Sequence, residues 1–304
     1  MAETISWELY RSFLAVLEEG SLSAAARALG LTQPTIGRHV AALEDLLAVP
    51  LFVRSQTGLL PTDAAQALRS HARAMADIAA ALQRAVSRHG EAVQGTVRIS
   101  ASEVVGAEIL PPILAALRAA HPQLRMELVL SNRVQDLLHR QADVAVRMIR
   151  PQQDLLVARR VGKVAIGLHA HPDYADRHGL PQRPEDLAQH ALVGFDTDTP
   201  FLRGARKGFP FWEPAAFALR ADSDLAQLAL IRAGCGIGFC QAMLARRTPG
   251  LLPVLPQQVG VALDVWVTMH QDLRASAACS AVFAALADGL AAHCAAPDAG
   301  LGSN

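Results

Sequence analysis

Residues Ser21 to Leu47 read SLSAAARALGLTQPTIGRHVAALEDLL, and this stretch decides the N-terminal fold. It predicts two short helices around a tight turn. Ser21 caps the first, and Ala24, Ala25 and Ala26 leave room for close helix approach. Gly30 ends that helix where a left-handed residue is needed and a β-carbon is costly. Thr32 caps the second helix, and Pro34 lies in its first turn, where the missing N–H does no harm. Ile36, Val40, Leu43 and Leu47 recur at spacings of three and four and define a buried face. The opposite face presents Gln33, Thr35 and Arg38 at its N-terminal end. This is the layout of a helix-turn-helix whose second helix enters the major groove of DNA. Alanine-rich helix pairs joined at glycine also build all-α cores, so the reading depends on context.

The flanks supply that context. Ser6 to Glu19 predicts a first helix capped by Ser6, with Leu9, Tyr10, Phe13, Val16 and Leu17 as its buried stripe. After Leu47, the segments Leu51 to Arg54 and Leu59 to Pro61 read as short strands joined by a turn at Gln56 to Gly58. A helix-turn-helix followed by such a hairpin is a winged helix, and Arg54 is placed to reach phosphate or the minor groove. Thr62 then caps a helix running to about His89, with a length of about 40 Å. Leu68, Met75, Leu82 and Val86 approximate a heptad seam along it. The seam fits a dimerisation arm or an intramolecular core helix. The arm is favoured because Gly90 to Gly95 reads as a hinge.

Composition excludes several classes. The 304 residues are 51% hydrophobic and 18% charged, which describes globular domains rather than a disordered chain. No apolar run approaches membrane-spanning length, and MAETISWELYR lacks a signal-peptide core, so a cytoplasmic protein is expected. Cys235, Cys240, Cys279 and Cys294 show neither zinc-site spacing nor a disulfide framework. The formal net charge is zero, and residues 1–90 carry eight arginines against eight acids, without the basic surplus that DNA binding favours. Placement compensates in part: from Ser21 to Thr62 three arginines stand against two acids.

From Thr96 the texture changes. TVRISAS, RMELVL and DVAVRM read as strands, separated by the apolar helix VVGAEILPPILAALRAA and the short helix VQDLLHR. Strand–helix–strand alternation implies a parallel sheet with crossover helices. VAIGLHA, ALVGF, FALRA and GIGFC continue the strands, with a helix from Leu225 to Ala233 capped by Asp222 and Ser223. VALDVWVTMH is a last strand, Ala275 to His293 a closing helix, and residues 294–304 a disordered tail.

The run SLSAAARALGLTQPTIGRHVAALEDLLAVPLFVRSQTGLLPTDA resembles the N-terminal signature of LysR-type transcriptional regulators. PPILAALRAAHPQLRMELVL, ADVAVRM and LIRAGCGIGFC are similar to that family's effector domain. The resemblance implies an α/β chain with a winged helix-turn-helix (1–62), a linker and dimerisation helix (63–90) and a two-lobed effector domain (93–304) similar to periplasmic solute-binding proteins. Lobe I would comprise 95–161 and 268–293, and lobe II 162–267. It also implies homodimers through the linker helix, assembly into homotetramers, and a small molecule bound between the lobes. Gly37 departs from the pattern, standing where the family usually carries serine, so position 37 is left out of the DNA contacts. The expected DNA contacts are Gln33, Pro34, Thr35, Arg38 and Arg54.

In open parallel sheets ligands bind beyond the carboxyl ends of the strands. Those ends carry Ser100 and Ser102, then Ser131 and Asn132, then Arg147. The other lobe offers Phe195 and Asp196, then Asp222 and Ser223. Hydroxyls and free N–H groups at helix starts suit a carboxylate or similar anion, and Arg147 would add charge-assisted recognition. Simple helix capping is the plainer reading of each serine. His169 and His171 have metal-like spacing but no third ligand, and Arg203, Arg206 and Lys207 read as a solvated basic loop. No nucleophile elbow or glycine-rich phosphate loop is present, so neither catalysis, cofactor nor metal is expected. The competing reading is a solute-binding or enzymatic α/β domain with an accessory helical region.

Overall fold

The computed structural model describes residues 5–55, 58–87, 92–132, 141–151, 153, 155–198, 200–205, 208–209, 211–247 and 250–295. The helix expected at 134–140, turn residues 56 and 57, hinge residues 90 and 91, loop residues Arg206 and Lys207, and the tail from 296 lie outside the described residues.

In the N-terminal unit, α1 (Trp7–Glu19), α2 (Leu22–Leu29) and α3 (Gln33–Leu47) precede an antiparallel hairpin of β1 (Phe52–Ser55) and β2 (Gly58–Pro61). The expected caps form: Ser6 accepts from the N–H of Glu8, Ser21 from that of Ala24 and Thr32 from that of Thr35. Gly30 ends α2 at φ 66°, in the left-handed region. Phe13, Leu43 and Leu51 anchor one side of the core, and Val16, Ala25 and Ile36 the other. Glu44, not singled out above, pins the hairpin to α3 by accepting from the N–H groups of Leu51 (2.6 Å) and Phe52 (3.1 Å).

The helix α4 (Asp63–Ser87) begins at Thr62, whose hydroxyl accepts from the N–H of Ala65. Its first half is a core helix, with Ala65, Leu68, Ala72 and Ala76 packed against α1, α3 and the hairpin. This corrects the expected seam: Leu68 belongs to the core of its own winged helix. The second half leaves Met75, Ile78, Leu82 and Val86 exposed by 38, 44, 63 and 72%.

The C-terminal unit opens with β3 (Gly95–Ala101), a π-turn at Val105–Ile109 and α5 (Leu110–Ala120), followed by β4 (Leu124–Leu130) and β5 (Val144–Arg147). β3 pairs in parallel with β4 and β5, as the alternation predicts. Then come β6 (Leu156–Ala170), α6 (Pro172–His178), β7 (Leu192–Gly194), α7 (Pro200–Ala205), β8 (Phe217–Arg220), α8 (Asp224–Arg232), β9 (Gly238–Gln241), α9 (Ala242–Ala245), β10 (Leu252–Val254), β11 (Gly260–His270) and α10 (Ala277–Ala295). β7 and β8 are parallel, but β6 and β11 form a long antiparallel ribbon that the alternation does not predict. One end of this ribbon pairs with β5 and the other with β9 and β10, so two strands run through both lobes. Their register slips between Val265 and Trp266.

The larger core packs Val97, Ile99, Val144 and Val146 against Leu110, Val282, Leu286 and Leu290. A second, aromatic core holds Tyr174, Trp212 and Phe217 with Leu168 and Leu187. Gly236 allows β9 to approach its neighbour, since a β-carbon there would lie 2.4 Å from the carbonyl oxygen of Ala191. The expectation about apolar runs is corrected: α10 is long and apolar enough to cross a membrane, with mean hydropathy 1.5. Its Cys279, Val282, Leu286 and Leu290 face is buried in the larger core, which accounts for that composition.

Candidate nucleic-acid interface and ligand cleft

At the start of α3, Gln33, Pro34 and Arg38 are exposed and Thr35 is half-buried, while Ile36, Val40 and Leu43 face the core. The polar groups there are already ordered. Ser23 on α2 donates to Oε1 of Gln33 at 3.1 Å, and the hydroxyls of Thr32 and Thr35 lie 2.8 Å apart. From α1, the buried Ser12 hydroxyl meets Nδ1 of His39 at 2.8 Å, fixing the middle of α3. Arg54 is exposed on β1, and neither it nor Arg38 has an ion-pair partner among the described residues. Two exposed cations and an oriented amide can face a phosphate-lined groove without first breaking an internal ion pair.

The residues expected at the cleft fall into three groups. In the first, Arg147 (7% exposed) donates through Nη2 to the hydroxyl of Ser100 (1% exposed) at 2.7 Å, and through Nη1 to the carbonyl of Val146. Each therefore has a protein partner, supplied by the adjacency of β3 and β5.

The second group gathers where β3 and β4 end. The N–H of Ser131 bonds to the carbonyl of Ala101, which holds the two strand ends together. Ser102 is half-buried, and its hydroxyl has no hydrogen-bond partner among the described residues. Asn132 accepts from the N–H of Glu103 (3.2 Å) and donates to Asp224 (2.9 Å). Ser223 caps α8 and also donates to Oε2 of Glu103 at 2.7 Å. Burial foremost, with the charge of Glu103 added, pushes the Asp224 carboxyl up to about 6, against the lowering effect of the Asn132 bond.

In the third group Asp222 does not cap α8. Its carboxylate accepts from the N–H groups of Asp196 (3.0 Å) and Thr197 (2.8 Å) and from the Thr197 hydroxyl (2.5 Å). The hydroxyl bond foremost holds this carboxyl below its ordinary value. Asp196 lies 3.5 Å from Arg220, and Phe195 is half-buried against the aromatic core. These residues order a loop.

Sequence reading missed Glu103, Glu108 and Arg232. Acids in the first turn after a strand are ordinary helix-start residues, and nothing local distinguishes these. Elsewhere, His169 is buried with Nδ1 on the carbonyl of Gly167, His171 caps α6, and Arg203 pairs with Asp198. Among the described residues no cluster of three metal-ligating side chains is present.

Comparison with known proteins agrees with this architecture. Residues 90–291 match the LysR substrate binding domain, and residues 7–66 the bacterial regulatory helix-turn-helix of the lysR family. The HTH-type transcriptional regulator CrgA of Neisseria meningitidis serogroup C (strain 8013) is 30% identical over 253 residues, 81% of this chain and 84% of CrgA. Full-length AphB, a virulence activator of Vibrio cholerae, superposes with a TM-score of 0.61 at 23% identity, covering 93% of this chain and 99% of AphB. Full-length CbnR complexed with its target DNA gives a TM-score of 0.61 at 20% identity, covering 93% of this chain and 99% of CbnR. At those identities the two structures speak to fold alone. With both halves matched in order, the chain belongs to the LysR family of DNA-binding transcriptional regulators, with a helix-turn-helix followed by an effector-binding domain.

Proposed function

We propose that this regulator reads operator DNA with Gln33, Thr35 and Arg38 of α3, with the Pro34 ring packing beside the sugar–phosphate chain and Arg54 of the hairpin flanking the groove. The observation that carries this reading is the division of α3, with Ile36, Val40 and Leu43 buried behind an exposed polar N-terminal face. The solved relative CbnR is bound to its target DNA, which supports the same use of the fold here. The regulator acts in the cytoplasm, where its operator is, and performs no catalysis.

The effector in this reading is a small anion held between lobe I (95–161 and 268–293) and lobe II (162–267). Support for the lobe limits comes from the register slip beside Val265, where the β6–β11 ribbon passes from one lobe to the other. Ser102 offers an uncommitted hydroxyl, Ser131 and Asn132 line the adjoining strand end, and Ser100 with Arg147 forms the cationic floor. Phe195, Asp196, Asp222 and Ser223 form the facing edge. Two chains pair along the outer half of α4, and pairs of dimers form a tetramer.

The test is operator selection from random duplex DNA, followed by titration of the selected site with a panel of small carboxylates present. Arg38→Ala is expected to weaken operator binding roughly 10-fold or more. Ser102→Ala is expected to weaken the carboxylate response, and Arg147→Ala to abolish it. Unchanged affinity in the Arg38 variant, or a cationic effector indifferent to both cleft substitutions, overturns the reading.

A further inference from the structure

Two residues from each proposed lobe are joined by a connected set of hydrogen bonds. Glu103 follows β3, and Asn132 follows β4; Ser223 and Asp224 begin α8. Oε2 of Glu103 accepts from the Ser223 hydroxyl (2.7 Å) and from the N–H of Leu225 (3.3 Å). Asn132 fixes the backbone of Glu103 and the carboxyl of Asp224. A helix N-terminus gathers unpaired N–H groups and favours a negative charge. The anion at this one is supplied by the protein itself.

We infer that Glu103 is a built-in ligand of the α8 N-terminus, which ties the lobes together and which an acid effector must displace. This deepens the reading of the cleft given above and rests on it. The Ser223 hydroxyl donates its single proton to Glu103 while accepting from the N–H of Ala226, so it has none left for a second carboxylate. A ligand carboxylate at the same donors would also stand beside both Glu103 and Asp224, and three adjoining negative groups repel strongly where solvent is sparse. Displacement of Glu103 removes one of them and vacates both donors. The acid effector thus exchanges one carboxylate for another and breaks a link between the lobes as it does so, which couples occupancy to their relative orientation.

The test is chemical rescue in the full chain. Glu103→Ala removes a CH2–COO⁻ fragment, for which acetate is the free counterpart. The variant's thermal midpoint is expected to fall by about 3–8 °C. Sodium acetate, compared with sodium chloride at equal ionic strength, should restore it saturably. The wild type should gain nothing specific from acetate, and adding Ser223→Ala should abolish the rescue. Equal acetate effects on wild type and variant, no loss in the variant, or rescue that survives Ser223→Ala overturns the inference. Glu103→Gln keeps the accepting oxygen and guards against a misfolded alanine variant. The groups facing Asp224 are the Glu103 carboxylate and the Asn132 amide, so removing the Glu103 charge should flatten the loss of stability as pH rises through about 6. An unchanged profile in a folded Glu103→Gln protein also overturns it. Failed rescue with the Ser102 and Arg147 dependence intact rejects the built-in ligand alone. Intact rescue with a response indifferent to Ser102 and Arg147 rejects the anionic-effector reading alone.

Discussion

Glu108 and Arg232 meet in a two-pronged ion pair, with Nη1–Oε1 at 2.7 Å and Nη2–Oε2 at 3.0 Å, between the π-turn after β3 and the last turn of α8. Both side chains are about three-quarters buried, and Arg247 adds a bond to the Glu108 carbonyl. Charge-assisted, parallel bonds of this kind fix orientation as well as distance. The pair sits at the far end of α8 from Glu103, so the helix is tied at both ends to the segment that follows β3.

Removing one partner leaves the other partly buried and uncompensated. Arg232→Gln is expected to lower stability by about 1.5–3 kcal/mol, read as a lower thermal midpoint. The pH dependence has a definite sign. The Arg232 bond foremost holds the Glu108 carboxyl below its ordinary 4.5, so its contribution is present above that value and lost as pH falls through the lower folded one. Acid unfolding of the variant should therefore be less steep below about pH 4.5. The same midpoint and acid profile in wild type and variant would show the pair to be energetically idle.

Two backbone positions in the N-terminal unit are open to improvement. Gly37 lies inside α3 with ordinary space around it, since a β-carbon would meet only Cδ1 of Leu22 at 3.8 Å. Ala48 ends α3 at φ 54°, where glycine is unstrained. Gly37→Ala and Ala48→Gly should each stabilise α3 by about 0.5–1 kcal/mol. Slower hydrogen exchange of the α3 amides is the readout, and faster exchange in either variant contradicts the geometry.

The outer half of α4 gives a prediction about assembly. Ile78 and Leu82 are among the exposed apolar residues at helical spacing, whereas Leu68 is packed within the unit. Ile78→Glu with Leu82→Glu should halve the assembly in sedimentation, from tetramer to a folded dimer held by the remaining interface, because charges then face the seam without disturbing the core. Leu68→Ala should instead cost about 2–4 kcal/mol of stability with assembly retained. A tetramer that survives the paired glutamates moves the interface off this helix.

The winged helix was legible in the sequence because its signals are local. Ser6, Ser21, Thr32 and Gly30 each act within four residues of where they stand, and the three- and four-residue spacing reports the buried face directly. The three parallel strands were legible for the same reason. The β6–β11 ribbon was not, because strands some ninety residues apart choose each other by sheet order, which no local pattern encodes. The cleft shows the same limit. Ser100 and Arg147 stand at the ends of neighbouring strands, and only sheet order makes them each other's hydrogen-bond partners. Asp222 read as a cap and instead organises the loop at Asp196 and Thr197. Leu68 fitted a heptad seam because core and seam helices share one periodicity, and only the packing separates them.

The bond from Ser23 to Gln33 bears on which base the second helix selects. A glutamine reads adenine with both ends of its amide, the oxygen accepting from N6 and the nitrogen donating to N7. Here Oε1 already accepts from the Ser23 hydroxyl at 3.1 Å, which engages one of its two lone pairs and holds the oxygen toward α2, so Gln33 leads with its N–H groups. Such a donor suits any base edge that offers an acceptor, including guanine and thymine, and discriminates weakly. Ser23→Ala frees the oxygen without touching α3, since Ser23 lies on the exposed side of α2. The variant's operators, selected from random duplex DNA, should be enriched in adenine at one position of each half-site. The gain in discrimination should be about 1–3 kcal/mol, or roughly 5- to 150-fold. Gln33→Ala in the same background should erase that enrichment. Identical base preferences in wild type and Ser23→Ala would show that the hydroxyl leaves the Gln33 amide free when DNA is bound.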